Sequence, residues 1–103
     1  MDNNLHFLSG LEKCKKGDFE GAIPSFTQAL VMTPQHVPSL YNRGLARLKL
    51  GKLAQAIQDF DNALSLQPQD ATIIAEKAVA LHVSGKNSAA LTAFDKALAL
   101  EPQ

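Results

Sequence analysis

The same pattern of residues returns every 34 positions along this chain, three times over and without an insertion. Such a period indicates a repeat architecture, in which each unit is one supersecondary element that stacks on its neighbours. We therefore predict one domain, residues 1–103, with units at 3–36, 37–70 and 71–103. Seven positions hold the same residue in every unit: Gly17, Gly51 and Gly85; Ala22, Ala56 and Ala90; Phe26, Phe60 and Phe94; Ala29, Ala63 and Ala97; Leu30, Leu64 and Leu98; Pro34, Pro68 and Pro102; and Gln35, Gln69 and Gln103.

The spacing within a unit predicts two helices. In the middle unit, apolar residues from Leu40 to Leu48 recur every three or four positions, and Gly51 follows where a helix commonly ends. A second run with this spacing extends from Ala56 to Leu66, and Pro68 stops it because proline cannot continue a helix. The alternation typical of a strand is absent.

Small residues and a phenylalanine are expected to set the packing within each helix pair. Gly44 in the first helix, and Ala56 and Ala63 in the second, let the two backbones approach, while Phe60 fills the space between them. Pro24 lies inside the second helix of the first unit, and we expect it to kink or shorten the start of that helix.

The period, the recurring glycine, alanine, phenylalanine and proline, and the stretch from Tyr41 to Ala46 resemble tetratricopeptide repeats. The resemblance covers essentially the whole chain. It implies an all-α fold, a right-handed α-solenoid of three stacked antiparallel helix pairs, with six helices in all. The pentatricopeptide repeats, which bind RNA, fit less well because their period is one residue longer.

The resemblance also implies a function. In the family, the first helices line a concave face that binds extended or helical peptide segments. We therefore predict a protein–protein interaction module, an adaptor, scaffold or co-chaperone-like protein, that binds a peptide of a partner. The predicted peptide-binding residues are Phe7, Leu11, Lys15, Tyr41, Asn42, Leu45, Lys49 and Val79. Other residues aligned with the family's groove are Asn4, Leu8, Cys14, Pro38, Leu48, Thr72, Ala75, Glu76, His82 and Val83.

An apolar stripe on a helix is more often core than binding site. This alternative, packing between adjacent first helices, is favoured for Leu45, Leu48, Val79 and Val83. For Phe7, Tyr41 and Asn42 we favour ligand contact, since apolar surface left in a concave groove usually marks a partner site.

One subtype of the family can be compared directly. Members that hold the C-terminal carboxylate of heat-shock chaperones use a Lys, Asn, Asn, Lys, Arg set. The matching positions here are Phe7, Leu11, Asn42, Thr72 and Glu76, of which only Asn42 agrees. Because Glu76 would repel a carboxylate, this clamp is disfavoured, and Asn42 is better interpreted as a donor to a peptide backbone.

Ten basic and ten acidic residues give a net charge of zero, but they are unevenly spread. The first helices and their turns carry nine basic and three acidic residues, whereas the second helices carry one and six. This pattern is either a solvated face or a basic layer that steers an acidic peptide, with Lys15 and Lys49 nearest the groove. The predicted partner is thus an acidic or apolar peptide. Nucleic acid is disfavoured, because excess basic charge and stacking aromatics are both lacking.

Catalytic and cofactor motifs are absent from the sequence. His6, His36 and His82 occupy different places in their units, and no metal-binding or phosphate-binding motif appears. Asp59 and Asp61 resemble the start of a calcium loop but lie mid-helix, so we expect a solvated face there. We predict no enzyme activity, cofactor or metal.

The cellular setting is suggested by two observations. Cys14 is the single cysteine and cannot form an internal disulfide, which suits a reducing compartment and favours the cytoplasm. No apolar run is long enough to span a membrane, so membrane insertion is not expected.

The outward face of the last helix suggests a second function. The chain stops at Gln103, directly after Pro102, and the face that would meet a fourth unit, including Leu91, Ala97 and Leu98, is expected to lack a cover. Either the chain is a segment of a longer protein, or self-association covers this end. The alternative function is therefore a structural unit that self-assembles through its terminal repeat.

Overall fold

Six helices make up the part of the chain that the structure, a computed structural model, describes. That part is residues 4–101, so the repeat positions Pro102 and Gln103 and the side chain of Asn4 lie outside it. No strand occurs within these residues, and the predicted all-α solenoid is confirmed. The helices are α1 (Asn4–Lys15), α2 (Phe19–Met32), α3 (Val37–Lys49), α4 (Leu53–Leu66), α5 (Ala71–Val83) and α6 (Asn87–Leu100).

The repeated glycines end the first helix of every unit, as predicted. Gly17, Gly51 and Gly85 follow α1, α3 and α5 with φ of 81°, 78° and 85°. This left-handed conformation closes a helix and is readily adopted only by glycine. The chain can then reverse direction and start the second helix.

Pro24 does not shorten α2, so that part of the prediction was wrong. The helix has 14 residues, as α4 and α6 do. Its start is held by Asp18, whose side-chain Oδ1 accepts a hydrogen bond of 2.9 Å from the amide of Gly21. The proline lies beyond this first turn, and the helix continues past it to Met32.

Within each pair, a phenylalanine of the second helix lies directly against the first helix. Phe26 and Phe60 are fully buried. A Cβ atom added to Gly44 would lie 2.7 Å from Cε1 of Phe60, and one added to Gly10 would also clash with Phe26. The predicted close approach at Gly44 is therefore present, and it depends on the absence of a side chain.

The pairs stack in sequence order. The second helix of one unit packs on the first helix of the next, α2 on α3 and α4 on α5, and the stack measures 40 × 24 × 22 Å. A core cluster runs through the middle unit from Leu30 and Leu40 to Phe60, Ile73 and Ala80. The first helices α1, α3 and α5 thus lie side by side along one face.

Asp59 is buried, so the predicted solvated face was wrong at this residue. The side chain shares one stripe of α4 with Ala56, Phe60 and Ala63, three and four residues apart, and that stripe faces α3. Its carboxylate accepts three hydrogen bonds, from Arg43 Nε at 3.0 Å, Arg43 Nη2 at 2.8 Å and Arg47 Nη1 at 2.9 Å. Two arginines one turn apart therefore compensate the buried charge.

The other two units fill the equivalent place differently. In the first unit, Ser25 Oγ lies 3.4 Å from Ser9 Oγ and accepts a hydrogen bond of 3.3 Å from Lys13 Nζ. In the third unit, the matching positions hold Leu81 and Ala93, which are apolar. The ion-paired group is thus specific to the middle unit.

The outward face of α6 is mostly exposed, as predicted. Leu91 and Leu98 are 62% and 63% exposed. Ala97 is buried, which contradicts the expectation for this residue. It packs with Ala71 and Ile74 of α5, because it lies on the side of α6 that faces its own partner helix.

We expect Gly44→Val to lower the free energy of unfolding by about 1–3 kcal/mol, because the new side chain displaces Phe60. Urea denaturation monitored by circular dichroism measures this loss. Ala54→Val, at an exposed position of α4, is the matched control and should cost less than about 0.7 kcal/mol, the helix propensity difference. Equal losses in the two variants would contradict the close packing at Gly44.

Removal of Asp59 should leave two arginines facing each other without a counter-ion. We expect Asp59→Ala to lower the free energy of unfolding by about 3 kcal/mol. The triple variant Arg43→Lys, Arg47→Leu, Asp59→Ala gives the middle unit the residues of the third unit, and it should recover most of that loss. If the triple variant is no more stable than Asp59→Ala, the unpaired arginines are not the cause of the lost stability.

Candidate functional site

The first helices form a groove along the face where they lie side by side. Its volume is about 580 Å³, and its residues come mainly from α3 and α5. We call it the main groove, defined by Asn42, Leu45, Lys49, Glu76, Val79 and Val83. Apolar side chains form its floor, and one carboxylate, one ammonium and one amide lie among them.

Half of the predicted peptide-binding residues line the main groove. They are Asn42, Leu45, Lys49 and Val79. The other residues of this groove are Cys14, Phe19, Ala46, Leu48, Gly51, Leu53, Glu76 and Val83. The repeat register points to two of them, because Glu76 and Val83 occupy the places of Asn42 and Lys49 in the next unit.

The other predicted residues lie outside the main groove. Tyr41 lines a smaller side pocket of about 280 Å³ together with Asn42, Asp70 and Thr72. The side pocket adjoins the main groove through Asn42, which lines both.

Three predicted residues on α1 line neither cavity: Phe7, Leu11 and Lys15. The Phe7 ring lies edge-on to His36, with ring centroids 5.1 Å apart, and 6.0 Å from the ring of Phe26. Phe7 therefore packs between α2 and the start of α3. Leu11 is half-buried and Lys15 is exposed.

The apolar residues of the main groove divide into two groups. Leu45 and Leu48 are half-buried and pack against the core cluster. Val79 and Val83 are 37% and 58% exposed, so the expectation that they pack between first helices was wrong. The reason is that α5 has a neighbouring first helix, α3, on only one side within residues 4–101.

Asn42 keeps hydrogen-bonding capacity directed at the groove. Its Nδ2 donates a hydrogen bond of 2.7 Å to the backbone oxygen of Pro38, one turn earlier in α3. An amide group carries two donors and one acceptor, so one N–H and the carbonyl oxygen remain for a ligand. The role of Asn42 as a donor to a peptide backbone stays a prediction.

The side pocket has a negative electrostatic environment. Burial raises the pKa of Tyr41, and the charges of Glu76 and Asp70 raise it further because they disfavour a phenolate. Tyr41 is therefore a neutral hydrogen-bonding hydroxyl at neutral pH. Cys14 is likewise protonated, because burial and the charge of Asp18 raise its pKa, which makes it a poor nucleophile.

Three of the nine cations of the basic layer pair with carboxylates of α4, one of them buried and one partly exposed. Both arginines of α3 bind Asp59, and Lys77 Nζ lies 2.7 Å from Asp61 Oδ1. These pairs join first helices to second helices, so the two oppositely charged layers compensate each other. Lys49, which is exposed, is the cation among the residues that define the main groove.

Two further features concern the described residues only. None of their helices is long and apolar enough to cross a membrane. Within residues 4–101, no three histidine, cysteine, aspartate or glutamate side chains come together where they could hold a metal ion.

Comparison with known sequences gives one family match. The sequence profile of the tetratricopeptide repeat family matches residues 37–70. These are the residues of the middle unit. No curated protein sequence matches the chain.

Similar solved structures include two kinds of protein. The second tetratricopeptide repeat domain of Spaghetti (RPAP3), bound to the HSP90 peptide SRMEEVD, is 26% identical with a TM-score of 0.90, over 95% of this chain and 91% of that one. MamA from MSR-1 is 24% identical with a TM-score of 0.92, over 98% and 58%. MamA from Desulfovibrio magneticus RS-1 is 23% identical with a TM-score of 0.93, over 98% and 57%. The chain spans somewhat more than half of these MamA chains, and the likeness to them shows the fold.

The side pocket can be probed through Tyr41, which is the single tyrosine. We expect its tyrosinate absorbance to appear with a midpoint above the ordinary value of 10.0, because burial and two carboxylates oppose ionisation. Glu76→Gln removes one of these charges and should lower the midpoint. Circular dichroism over the same pH range confirms that the chain stays folded. An unchanged midpoint in this variant would place Glu76 too far from Tyr41.

Proposed function

Because the chain belongs to the tetratricopeptide repeat family, we propose that it is a non-catalytic protein–protein interaction module that binds a peptide segment of a partner in the main groove. The observation that carries this proposal is the exposure of Val79 and Val83 beside Asn42, Lys49 and Glu76. Apolar side chains left in a concave surface with a few polar groups are typical of a ligand site.

The composition of the groove favours an apolar peptide segment over a strongly acidic one. Leu45, Val79 and Val83 supply apolar contact. Lys49 and Glu76 contribute one charge of each sign, so the groove has no net charge to attract an acidic chain. Asn42 can bind the peptide backbone. Lys15 and Lys49 then set the approach of the partner rather than its affinity.

The relation to the peptide-bound Spaghetti domain supports a peptide site on this fold but suggests a different peptide. The peptide in that complex, SRMEEVD, is acidic at its end. At the three positions where the chaperone-binding subtype has its cations, this chain has Phe7, Thr72 and Glu76. We therefore propose that an acidic chaperone tail is not the natural ligand.

The remaining parts of the proposal concern the organisation and location of the protein. We propose that residues 1–103 act as one domain with repeats at 3–36, 37–70 and 71–103. A role as adaptor or scaffold in the cytoplasm is supported by the single cysteine, which suits a reducing compartment.

A second candidate function rests on the end of the stack. The exposed Leu91 and Leu98 support a second interaction surface there, on α6. Self-assembly through this surface is the alternative proposal. Whether a copy of this chain or a different helix covers it depends on the residues that would face it.

Peptide binding is tested with peptides selected from a random phage-displayed library on the immobilised protein. We expect Val83→Asp to weaken binding of a selected peptide about tenfold or more, since a carboxylate would be desolvated in an apolar contact. Fluorescence anisotropy measures the affinity. Val31→Asp is the matched control, because Val31 is also an exposed valine in the last turn of a helix, on α2.

The control variant should bind like the wild type, and both variants should unfold at similar temperatures. Failure to select any peptide, or equal weakening by the two substitutions, would contradict groove binding.

The choice of ligand is tested with the peptide SRMEEVD. We expect the wild type to bind it at least about tenfold more weakly than the variant Thr72→Lys, Glu76→Arg, which restores two cations for the terminal carboxylates. The higher affinity of the variant should decrease as the salt concentration is raised, because salt screens the added charges. Equally tight binding by the wild type would show that Glu76 does not face the carboxylate.

A further inference from the structure

The outward face of the last helix shares a phenylalanine and a leucine with the equivalent faces of α2 and α4, which another helix covers. We call it the α6 end surface, defined by Leu91, Phe94, Asp95 and Leu98. In the first unit, Phe26 and Leu30 hold two of these positions, and both are buried. Phe94 is half-buried and Leu98 is exposed. The chain itself therefore shows what a covered version of this surface looks like.

The cover in the inner units is a helix of known pattern. The first helix of the next unit lies on this face, α3 on α2 and α5 on α4. Both covering helices bury an apolar residue, Leu40 or Ile74, and, six positions later, a fully buried alanine, Ala46 or Ala80. The small alanine lets the helices approach closely.

A polar contact recurs at the same interface. Arg43 Nη1 donates a hydrogen bond of 3.1 Å to Thr27 Oγ1, and Lys77 Nζ lies 2.7 Å from Asp61 Oδ1. The two contacts are 34 residues apart on both sides, so they are the same contact in successive units. Asp95 holds, in the third unit, the position that Thr27 and Asp61 hold in the first and second units. Within residues 4–101 it forms no ion pair.

The covering helix thus has three features in order. An apolar residue is followed three positions later by a cation and three positions after that by alanine. Leu40, Arg43 and Ala46 form this pattern in α3, and Ile74, Lys77 and Ala80 form it in α5.

The first helix of this chain lacks the pattern. Its matching residues are His6, Ser9 and Glu12. Head-to-tail stacking in the same register would bury Glu12 where the inner units bury alanine, and it would place no cation opposite Asp95. Glu12 pairs with Lys16 at 3.7 Å, but both side chains are exposed, and burial of this carboxylate is costly.

A two-fold contact between copies is also unfavourable. Asp95 lies on the same stripe of α6 as Leu91 and Leu98, four residues after one and three before the other. A symmetric contact centred on the leucines would bring the two Asp95 carboxylates together. The α6 end surface therefore fits a different helix better than it fits a copy of itself.

We propose that the α6 end surface binds an amphipathic helix of a partner protein with the pattern apolar–x–x–Lys/Arg–x–x–Ala, whose cation pairs with Asp95. The apolar residue and the alanine cover Leu91, Phe94 and Leu98. This site adjoins the main groove at Glu76, which also lines a pocket of about 300 Å³ with Phe94 and Leu98, but its apolar contacts come from α6.

The experiment uses a labelled peptide with the sequence of residues 71–86, which contains the pattern. A cross-link between positions 72 and 76 holds it helical, and circular dichroism confirms the helix. Fluorescence anisotropy measures its affinity for the intact protein. We expect Leu98→Lys to weaken binding about tenfold or more, by loss of apolar contact. Asp95→Lys should weaken it about three- to fivefold, as expected for a partly exposed ion pair.

Reversing the charge in both the peptide and the protein tests whether Lys77 of the peptide pairs with Asp95. A Lys77→Glu peptide should bind the wild type more weakly and regain affinity for the Asp95→Lys protein. Glu20→Lys is the matched control, because it changes an exposed carboxylate on α2 away from this surface, and it should have no effect. Val83→Asp, in the main groove, should also leave this binding unchanged, which separates the two sites.

Three outcomes would overturn the proposal. The first is no binding of the peptide to the folded wild type. The second is binding that Leu98→Lys and Asp95→Lys leave unchanged. The third is a wild-type dimer in sedimentation that Leu98→Lys dissociates, which would assign the surface to self-assembly. All these side chains are exposed, and unfolding temperatures verify that the variants stay folded.

Discussion

The fold depends on a phenylalanine that lies against a residue without a side chain. Phe26 packs on Gly10 and Phe60 on Gly44, so closely that a Cβ atom on either glycine would clash with the ring. Burial of each phenylalanine ring stabilises the fold most where the backbones of the two paired helices lie nearest each other. The third pair has Ala78 instead of glycine. Phe94 is half-buried there because it lies on the outward face of α6. Close approach within pairs lets the three pairs stack with their first helices on one face, and that face is the groove.

Ion pairs between the layers contribute to this arrangement. Arg43 and Arg47 of α3 and Lys77 of α5 pair with carboxylates of α4, which joins the two layers of helices. What remains at the main groove is one charge of each sign on an apolar floor, Lys49 and Glu76. A peptide bound there, as we propose, is recognised by apolar contact and by backbone hydrogen bonds, while the two charges select its register and orientation.

The sequence predicts the helices and their ends well, because glycine and proline act locally. It also predicts the groove residues of α3, which follow from the repeat register. Asp59 could not be predicted in the same way, because its burial depends on two arginines 12 and 16 positions away in the chain. Phe7 illustrates the same limit, since its contact with His36 depends on how α1 packs against the next unit.

The most direct test of the central claim, that the first helices bind a peptide, is an NMR titration of the isotope-labelled protein with a library-selected peptide. Chemical shifts of backbone amides report which residues the peptide contacts. We predict that the largest changes fall on Asn42, Leu45, Lys49 and Val79, with little change along α4 and α6. Chemical shift changes concentrated on α4 or α6, with the shifts of those four amides unchanged, would contradict the account.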